Sequence, residues 1–550
     1  MTRSPVLTHL AALAICAVMA GCALAFAQAQ TIWVDESTQL SGLSLGYLEQ
    51  WTWLAAWSDH PFAVPADRMP PLSYWLGRTW SMAFGLSETS MRVFGIVAIL
   101  CAAPALFLAG RRVGGPTAGL FAMAVLLLSP SLVMQGVEIR AYPVLFALSA
   151  WATYVFVLLI TSEDRSHDRR RLIWLTALLV ASCYTHFYGL VLSGMIFVVL
   201  LAERILSHKP VGPVLICGLV GGIVALGTVP FIAAAVALSG SGGADSLSLA
   251  QIGADAARLA FRILASPVLL ASPVALVAAL GGLAILAVIL IWASLTGSAE
   301  GMVRNRFLLL SGPIVLAFLT LSLAATQVST FALFAPHYNL WMMPLVGVIF
   351  ALAFAVPGRW SRVLVRVSAL CIIGAQVIGL WTLISHRSLY SHGPSEAIAS
   401  RIGDPSRTLV IHDATGLWAH SYFPLSYLTD GDLTQWLQEP GSPPRQVIKG
   451  GLEAVEQPED ARRSFDTVIH VYTVSLDSAQ LAEIVKNDEA CQIPPGPLPV
   501  ASEAPVQIYC AYVAARYTVE ERRTAQQATG APITPVQGPR SVAPARVSEL

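Results

Sequence analysis

Two adjacent carboxylates, Asp35 and Glu36, follow Trp33-Val34 where the first long apolar stretch ends. Carboxylates at such a boundary can be merely hydrated. They can also take a proton from a substrate hydroxyl or, as a pair, suit a divalent cation. Neighbours on a helix point about 100° apart, so at most one of the two is expected to face a shared cavity.

Other polar residues recur near predicted span ends. Arg68 precedes Pro70-Pro71, Glu138-Ile139-Arg140-Ala141-Tyr142 carries both charge signs, His186 lies between Tyr184 and Tyr188, and His337-Tyr338 opens a late apolar segment. Arginine forks suit phosphate and carboxylate. The bland reading of Arg68, Arg92 and Arg140 is interface anchoring. For His186 it is a hydrogen-bonded interior histidine, and for His337-Tyr338 an aromatic belt.

What positions these residues is a membrane. Of 550 residues, 55% are hydrophobic and 12% charged, with a mean hydropathy of +0.65. Ordinary soluble chains carry about 25% charge, so this composition excludes a disordered chain and argues strongly against a single soluble domain. Lys+Arg and Asp+Glu number 33 each, which leaves no case for nucleic-acid binding. Eight cysteines without a CxxC or a Cys/His cluster exclude a zinc ribbon or disulfide scaffold.

Apolar stretches of spanning length lie near 5–27, 91–110, 117–136, 142–160, 212–238, 274–296, 307–326, 338–356 and 367–385. The stretch 172–203 is flanked by Arg171 and Arg204 and reads as a hairpin of two short helices, with its apex at Tyr184–Gly189. That makes about eleven crossings within a transmembrane domain, 1–385. With the N-terminus cytoplasmic, inner loops hold fourteen Lys+Arg, among them Arg111, Arg112, Arg169, Arg170, Arg171, Arg204 and Lys209. Outer segments before 386 hold six: Arg68, Arg78, Arg92, Arg140, Arg258 and Arg262. The expected location is the cell (inner) membrane, as a multi-pass protein. A competing reading of the first segment, as a cleaved signal peptide ending near Ala27 or Ala29, leaves the outer residues where they are.

The outer loop 29–90 holds six of the fourteen tryptophans and both charge signs, more than a connector needs, and is expected to shape the site. After 386 the membrane pattern stops. Strands are predicted over 408–412, 467–472 and 506–513, and a helix over 476–489, giving a small extracytoplasmic α/β domain, 386–518. A disordered tail is expected from 519 to 550. Cys491 and Cys510 are the only cysteines in that outer domain and are candidates for pairing.

Six segments in order resemble the polyprenyl-phosphate-dependent glycosyltransferases of the GT-C type. They are Asp35-Glu36, Pro70-Pro-Leu-Ser-Tyr-Trp75, Ser87-Glu-Thr-Ser-Met-Arg-Val-Phe-Gly95, Glu138-Ile-Arg-Ala-Tyr142, Tyr184-Thr-His-Phe-Tyr-Gly189 and His337-Tyr-Asn-Leu-Trp-Met-Met-Pro344. The group most resembled comprises bacterial relatives of the protein O-mannosyltransferases and the lipid A aminoarabinose transferase, glycosyltransferase family 39-like. There are departures: the family's acidic-Lys pair before Pro-Pro reads Arg68-Met69 here, and its late Arg-Tyr reads His337-Tyr338.

The resemblance implies a GT-C fold and transfer of a sugar from a polyprenyl-phosphate donor to a hydroxyl acceptor on the outer face. It names Asp35, with Glu36 as alternate, as the base. Arg68, Arg140, His337 and Tyr338 fall at the donor phosphate, supported by Glu138, Tyr142 and His186. A phosphate leaving group needs no strong acid, so one base and cationic donors suffice, with inversion expected. No metal ligand set is expected, although a divalent ion beside Asp35 and Glu36 would suit the chemistry, and no other cofactor is indicated. The acceptor, whether lipid, glycan or protein, is not legible. The rivals are a multi-pass transporter, which would carry midplane charges and internal repeats that this chain lacks, and a non-catalytic cell-envelope assembly protein.

Overall fold

Nine helical segments among the described residues are long and apolar enough to cross a bilayer, and a tenth arises if one bent pair counts as a single span. The computed structural model describes residues 5–59, 66–162, 166–238, 248–296, 302–326, 333–335, 337–387, 395–413, 419–429, 431–438, 442–448, 451–455, 465–474, 491–492 and 506–513. The chain divides into two units, Met1–Ser391 and His392–Leu550. The helix expected over 476–489 and the tail after 519 lie outside the described residues.

The first unit begins with α1 (Pro5–Ala27), then three short helices, α2 (Val34–Ser44), α3 (Tyr47–Leu54) and α4 (Leu72–Phe84). Next come α5 (Glu88–Gly114), α6 (Pro116–Leu127), α7 (Pro130–Val137), α8 (Tyr142–Thr161), α9 (Asp168–Thr185) and α10 (Tyr188–Leu206). The unit continues with α11 (Gly212–Ala225), α12 (Val229–Leu238), α13 (Leu249–Leu264), α14 (Pro273–Thr296), α15 (Met302–Ala325), α16 (Met343–Ala351) and α17 (Arg359–Ser385). A 3-10 turn, His337–Met342, leads into α16, and the spanning segment runs from His337 to Ala355.

The predicted hairpin is present: α9 ends at Thr185 and α10 starts at Tyr188. Gly189 permits that turn, because a Cβ there would lie 2.2 Å from the Ser182 backbone. The helix α9 opens on Asp168-Arg-Arg-Arg171, so its 18 residues are too charged to qualify as a span on composition. The expected crossing at 117–136 is broken at Leu128-Ser129 into α6 and α7, bent by 58°. Pro130 at the first position of α7 cannot donate a backbone hydrogen bond to the preceding turn, which favours a break there.

The long outer loop folds as α2, α3 and α4. The helix α2 is polar, yet Glu36 through Leu43 are buried. Its acidic first turn suits the positive end of the helix dipole. Gly42 lets it lie against the rings of Trp53 and Tyr74, which a Cβ would meet at 2.4 and 2.5 Å. Together these anchor the helix that carries both carboxylates.

The second unit is built on a seven-stranded sheet, in the order β4-β3-β2-β1-β5-β7-β6. In chain order the strands are β1 (Thr408–Asp413), β2 (Thr434–Gln438), β3 (Arg445–Ile448), β4 (Gly451–Ala454), β5 (Thr467–Val474), β6 (Cys491–Gln492) and β7 (Val506–Val513). β1 pairs parallel with β2 and β5, and the outer strands run antiparallel. Alternate residues of β1 enter two cores: Val410 packs with Ile398, Leu425 and Ile469, while Leu409 and Ile411 pack with Trp436 and Val468. His412, on the Val410 face, is buried against Gln435 at 2.7 Å, and burial pushes its pKa down to about 4, so it is neutral.

Candidate active site

The two leading carboxylates separate as their helical geometry requires. Glu36 is 1% exposed and takes two contacts from Arg92, Nη1 to Oε1 at 2.7 Å and Nη2 to Oε2 at 3.0 Å. The Ile139 N–H also donates to Glu36 Oε1 at 3.0 Å. Arg92 in turn donates through Nε to Glu88 at 2.8 Å and through Nη1 to the Val137 carbonyl at 2.9 Å. This cluster ties α2 and α5 to the end of α7. Asp35, by contrast, is 34% exposed, with one carboxylate oxygen 3.7 Å from Arg140 Nη2.

Arg140 lies in the non-helical step between α7 and α8, where its N–H donates to the Glu138 carbonyl at 2.8 Å, a tight three-residue turn. The turn frees the Ile139 N–H for Glu36 and swings Arg140 toward α2. The Arg140 side chain is 4% exposed and its Nη1 donates to Asp67 Oδ2 at 2.8 Å and to the Asp35 carbonyl at 3.1 Å. Burial alone would weaken its charge, but the Asp67 and Asp35 carboxylates overcome this and hold its pKa well above the ordinary guanidinium value. The terminal nitrogens expected to clamp a donor phosphate are therefore already engaged within the protein.

Asp67, which sequence reading missed, is the centre of this arrangement. It is buried and accepts from Tyr74 Oη at 2.7 Å, from Arg140 and from the Arg68 N–H at 2.8 Å. Burial and then the Asp67 charge push the Tyr74 hydroxyl pKa well up, keeping it a donor. The signal was present in Asp67-Arg68 beside Pro70-Pro71. Arg92 was equally readable, since Glu88 and Arg92 stand four apart on one helix. Arg68 is exposed beside this network.

Glu138 accepts from Gln135 Nε2 at 2.8 Å. Burial first, and then the nearby Glu36 and Asp35 charges, push its carboxyl up to about 8, so it carries a proton at neutral pH.

The remaining predicted residues come together next to Arg140. The guanidinium lies 6.0 Å from the Tyr142 ring centroid, and that ring neighbours His337 at 5.3 Å, His186 at 5.8 Å and Tyr338 at 6.0 Å. Tyr188 stacks on Tyr338 at 5.8 Å and its backbone N–H donates to His186 Nδ1 at 3.2 Å. Tyr142 Oη and His186 Nε2 are buried with no hydrogen-bond partner among the described residues. Three chain segments far apart in sequence, Arg140–Tyr142, His186–Tyr188 and His337–Tyr338, thus form one polar, aromatic wall.

A donor set for a divalent ion is not assembled here. Both Glu36 oxygens are taken up by Arg92 and the Ile139 N–H. Among the described residues no group of three or more His, Cys, Asp or Glu side chains is placed to hold a metal.

A family model described as dolichyl-phosphate-mannose-protein mannosyltransferase matches residues 68–230. That stretch carries Arg68, Glu138, Arg140, Tyr142 and His186, and stops short of Asp35 on one side and His337 on the other. Among solved structures, ArnT from Cupriavidus metallidurans bound to undecaprenyl phosphate matches with a TM-score of 0.53 at 11% identity, covering 92% of this chain and 98% of that one. The same protein in its apo state matches with a TM-score of 0.51 at 13% identity, covering 93% and 98%. No curated protein sequence matches significantly. The chain is a multi-pass membrane protein whose fold is of the GT-C type and similar to that of ArnT.

Proposed function

We propose that the protein is a membrane glycosyltransferase that moves a sugar from a polyprenyl-phosphate donor to an acceptor hydroxyl on the outer face of the membrane. The observation that carries this reading is the pairing of the partly exposed Asp35 carboxylate with a buried Arg140 held in place by Asp67. The ArnT structure with undecaprenyl phosphate and the family-model match point to the same donor class.

In this reading Asp35 accepts the proton of the acceptor hydroxyl as its oxygen attacks the anomeric carbon. The bond from that carbon to the phosphate oxygen breaks, and the lipid phosphate leaves with the electron pair, inverting the centre. Glu36 is a positioning residue, because its oxygens are committed to Arg92 and Ile139. A phosphate would share Arg140 with Asp67, so the exposed Arg68 is its proposed main contact, with His337 and Tyr338 beside it. Tyr142 Oη and His186 Nε2 offer buried hydrogen-bonding atoms to the bound head group.

The orientation is part of this proposal: N-terminus cytoplasmic, with the α/β unit extracytoplasmic, in the inner membrane. Reporter fusions after residues 305 and 362 should then read cytoplasmic, and one after 450 external. The decisive assay incubates purified full-length protein with undecaprenyl-phosphate-linked sugars and a panel of lipid, glycan and peptide hydroxyl acceptors. Transfer is expected from wild type. Asp35→Asn, which keeps shape but cannot take a proton, should lose about 10²–10⁴-fold in rate while binding donor normally. Wild-type rates from both Asp35→Asn and Glu36→Gln would refute the catalytic assignment.

A further inference from the structure

At the opposite end of α9 from the site, a groove of about 890 Å³ runs between α9 and α11. Its walls are one stripe from each helix, Leu172, Thr176 and Val180 on α9 facing Val214, Cys217 and Val220 on α11. Lining residues from Arg169 to Val180 span eleven helical steps, about 16 Å at 1.5 Å per residue. That is the depth of one leaflet of a bilayer whose hydrocarbon core is about 30 Å thick. The groove narrows where Gly221 brings α11 against Thr176, which a Cβ would meet at 3.0 Å.

One end of the groove is charged. Asp168 pairs with Arg204 at 3.0 Å and with Arg171 at 3.3 Å, and Glu203 pairs with Lys209 and with Arg204. Two acids are thus already matched by three bases. Arg169, exposed on the groove lining, adds a further charge and has no ion-pair partner among the described residues. Arg204 also lines the groove, its side chain 5% exposed, with Nη2 3.0 Å from Asp168 and Nε 3.4 Å from Glu203. Four bases against two acids leave a net positive mouth on an apolar slot one leaflet deep.

We propose that this groove binds one anionic glycerophospholipid of the adjoining leaflet, an acyl chain lying between α9 and α11 and its phosphate at Arg169 and Arg204. Basic pockets between spanning helices on the cytoplasmic side recognise anionic head groups in this way. Arginine supplies the forked donor that a phosphodiester takes. The groove shares no lining residue with the proposed active site, and lipid binding there does not depend on the transfer reaction.

The test is native mass spectrometry of the purified full-length protein in detergent, with phosphatidylglycerol and phosphatidylcholine of identical acyl chains in competition. Wild type should retain phosphatidylglycerol about fivefold or more over phosphatidylcholine, the worth of one basic residue against an anionic lipid. Arg169→Glu, a change at an exposed position, should abolish that preference. Val220→Trp, which fills the slot from an exposed position, should cut retention of both lipids. Equal retention of the two lipids by wild type, or unchanged retention by both variants, would overturn the proposal. So would displacement of phosphatidylglycerol by farnesyl phosphate at equal concentration, which would assign the slot to a polyprenyl chain.

Discussion

Glu36 and Arg92, fifty-six residues apart, form a two-point ion pair at 2.7 and 3.0 Å with side chains 1% and 3% exposed. This pair fixes α2 against α5, and with it the direction in which the neighbouring Asp35 points. Removing one member leaves a buried uncompensated charge, which costs about 3–5 kcal/mol. Glu36→Ala should therefore lower the thermal midpoint clearly in detergent, and Glu36→Ala with Arg92→Met should recover much of the loss. A single variant as stable as wild type would show that the pair does not hold the helices together.

Arg68 and Arg140 should respond differently to the same change. Arg68→Lys keeps the charge and loses the fork, so the proposed phosphate contact predicts a raised KM for the lipid donor with unchanged stability. Arg140→Lys cannot reproduce the two contacts to Asp67, so it should lose stability as well as rate. Thermal melts and steady-state kinetics on the two variants distinguish these roles. Identical behaviour of the two would count against them.

Tyr74 donates its hydroxyl to the buried Asp67 carboxylate. Tyr74→Phe removes a hydrogen bond to a charged group, worth about 1.5–3 kcal/mol. The expected result is reduced stability with donor KM changed by less than about threefold, because a positioning contact two steps from the proposed phosphate site transmits little binding energy. A large KM effect without a change in melting would place Tyr74 at the substrate instead.

Glu138 gives a pH signature. Its carboxyl rises from 4.5 to about 8 on folding, chiefly through burial. The folded state therefore holds a proton that the unfolded chain releases. Its contribution to stability is full below about pH 4.5, declines as pH rises, and is gone above about pH 8. Glu138→Gln, neutral at every pH, should lack this component, so wild type should lose more stability than the variant between pH 5 and pH 8.5. Parallel melting curves for the two across that range would count against a protonated Glu138.

Cys491 and Cys510 stand directly opposite each other in the register of β6 and β7. Opposed residues of antiparallel strands bring Cα atoms to about 4.5–5.5 Å, within disulfide range. The proposed extracytoplasmic placement of this unit would expose it to oxidising conditions, and the two are then expected to be bonded, closing a loop worth about 3 kcal/mol. Alkylation of unfolded, unreduced protein should label neither; labelling of both would remove the bridge.

The spans and the order of the polar motifs were legible along the chain because hydropathy is a local property. A membrane helix needs about 20 apolar residues whatever it packs against. The hairpin at Tyr184–Gly189 was legible for the same reason, its basic flanks marking both ends. The bend between α6 and α7 was not, since an apolar run looks the same whether straight or bent by 58°. Nor could spacing alone decide between Asp35 and Glu36, because either face of α2 could have met the bundle. That choice depends on Arg92, whose reach to Glu36 exists only once α2 lies against α5. Arg140 likewise reads as a free cation until the turn at Glu138–Arg140 brings it to Asp67, seventy-three residues away. Buried charge demands a partner, and packing, rather than proximity in sequence, supplies it.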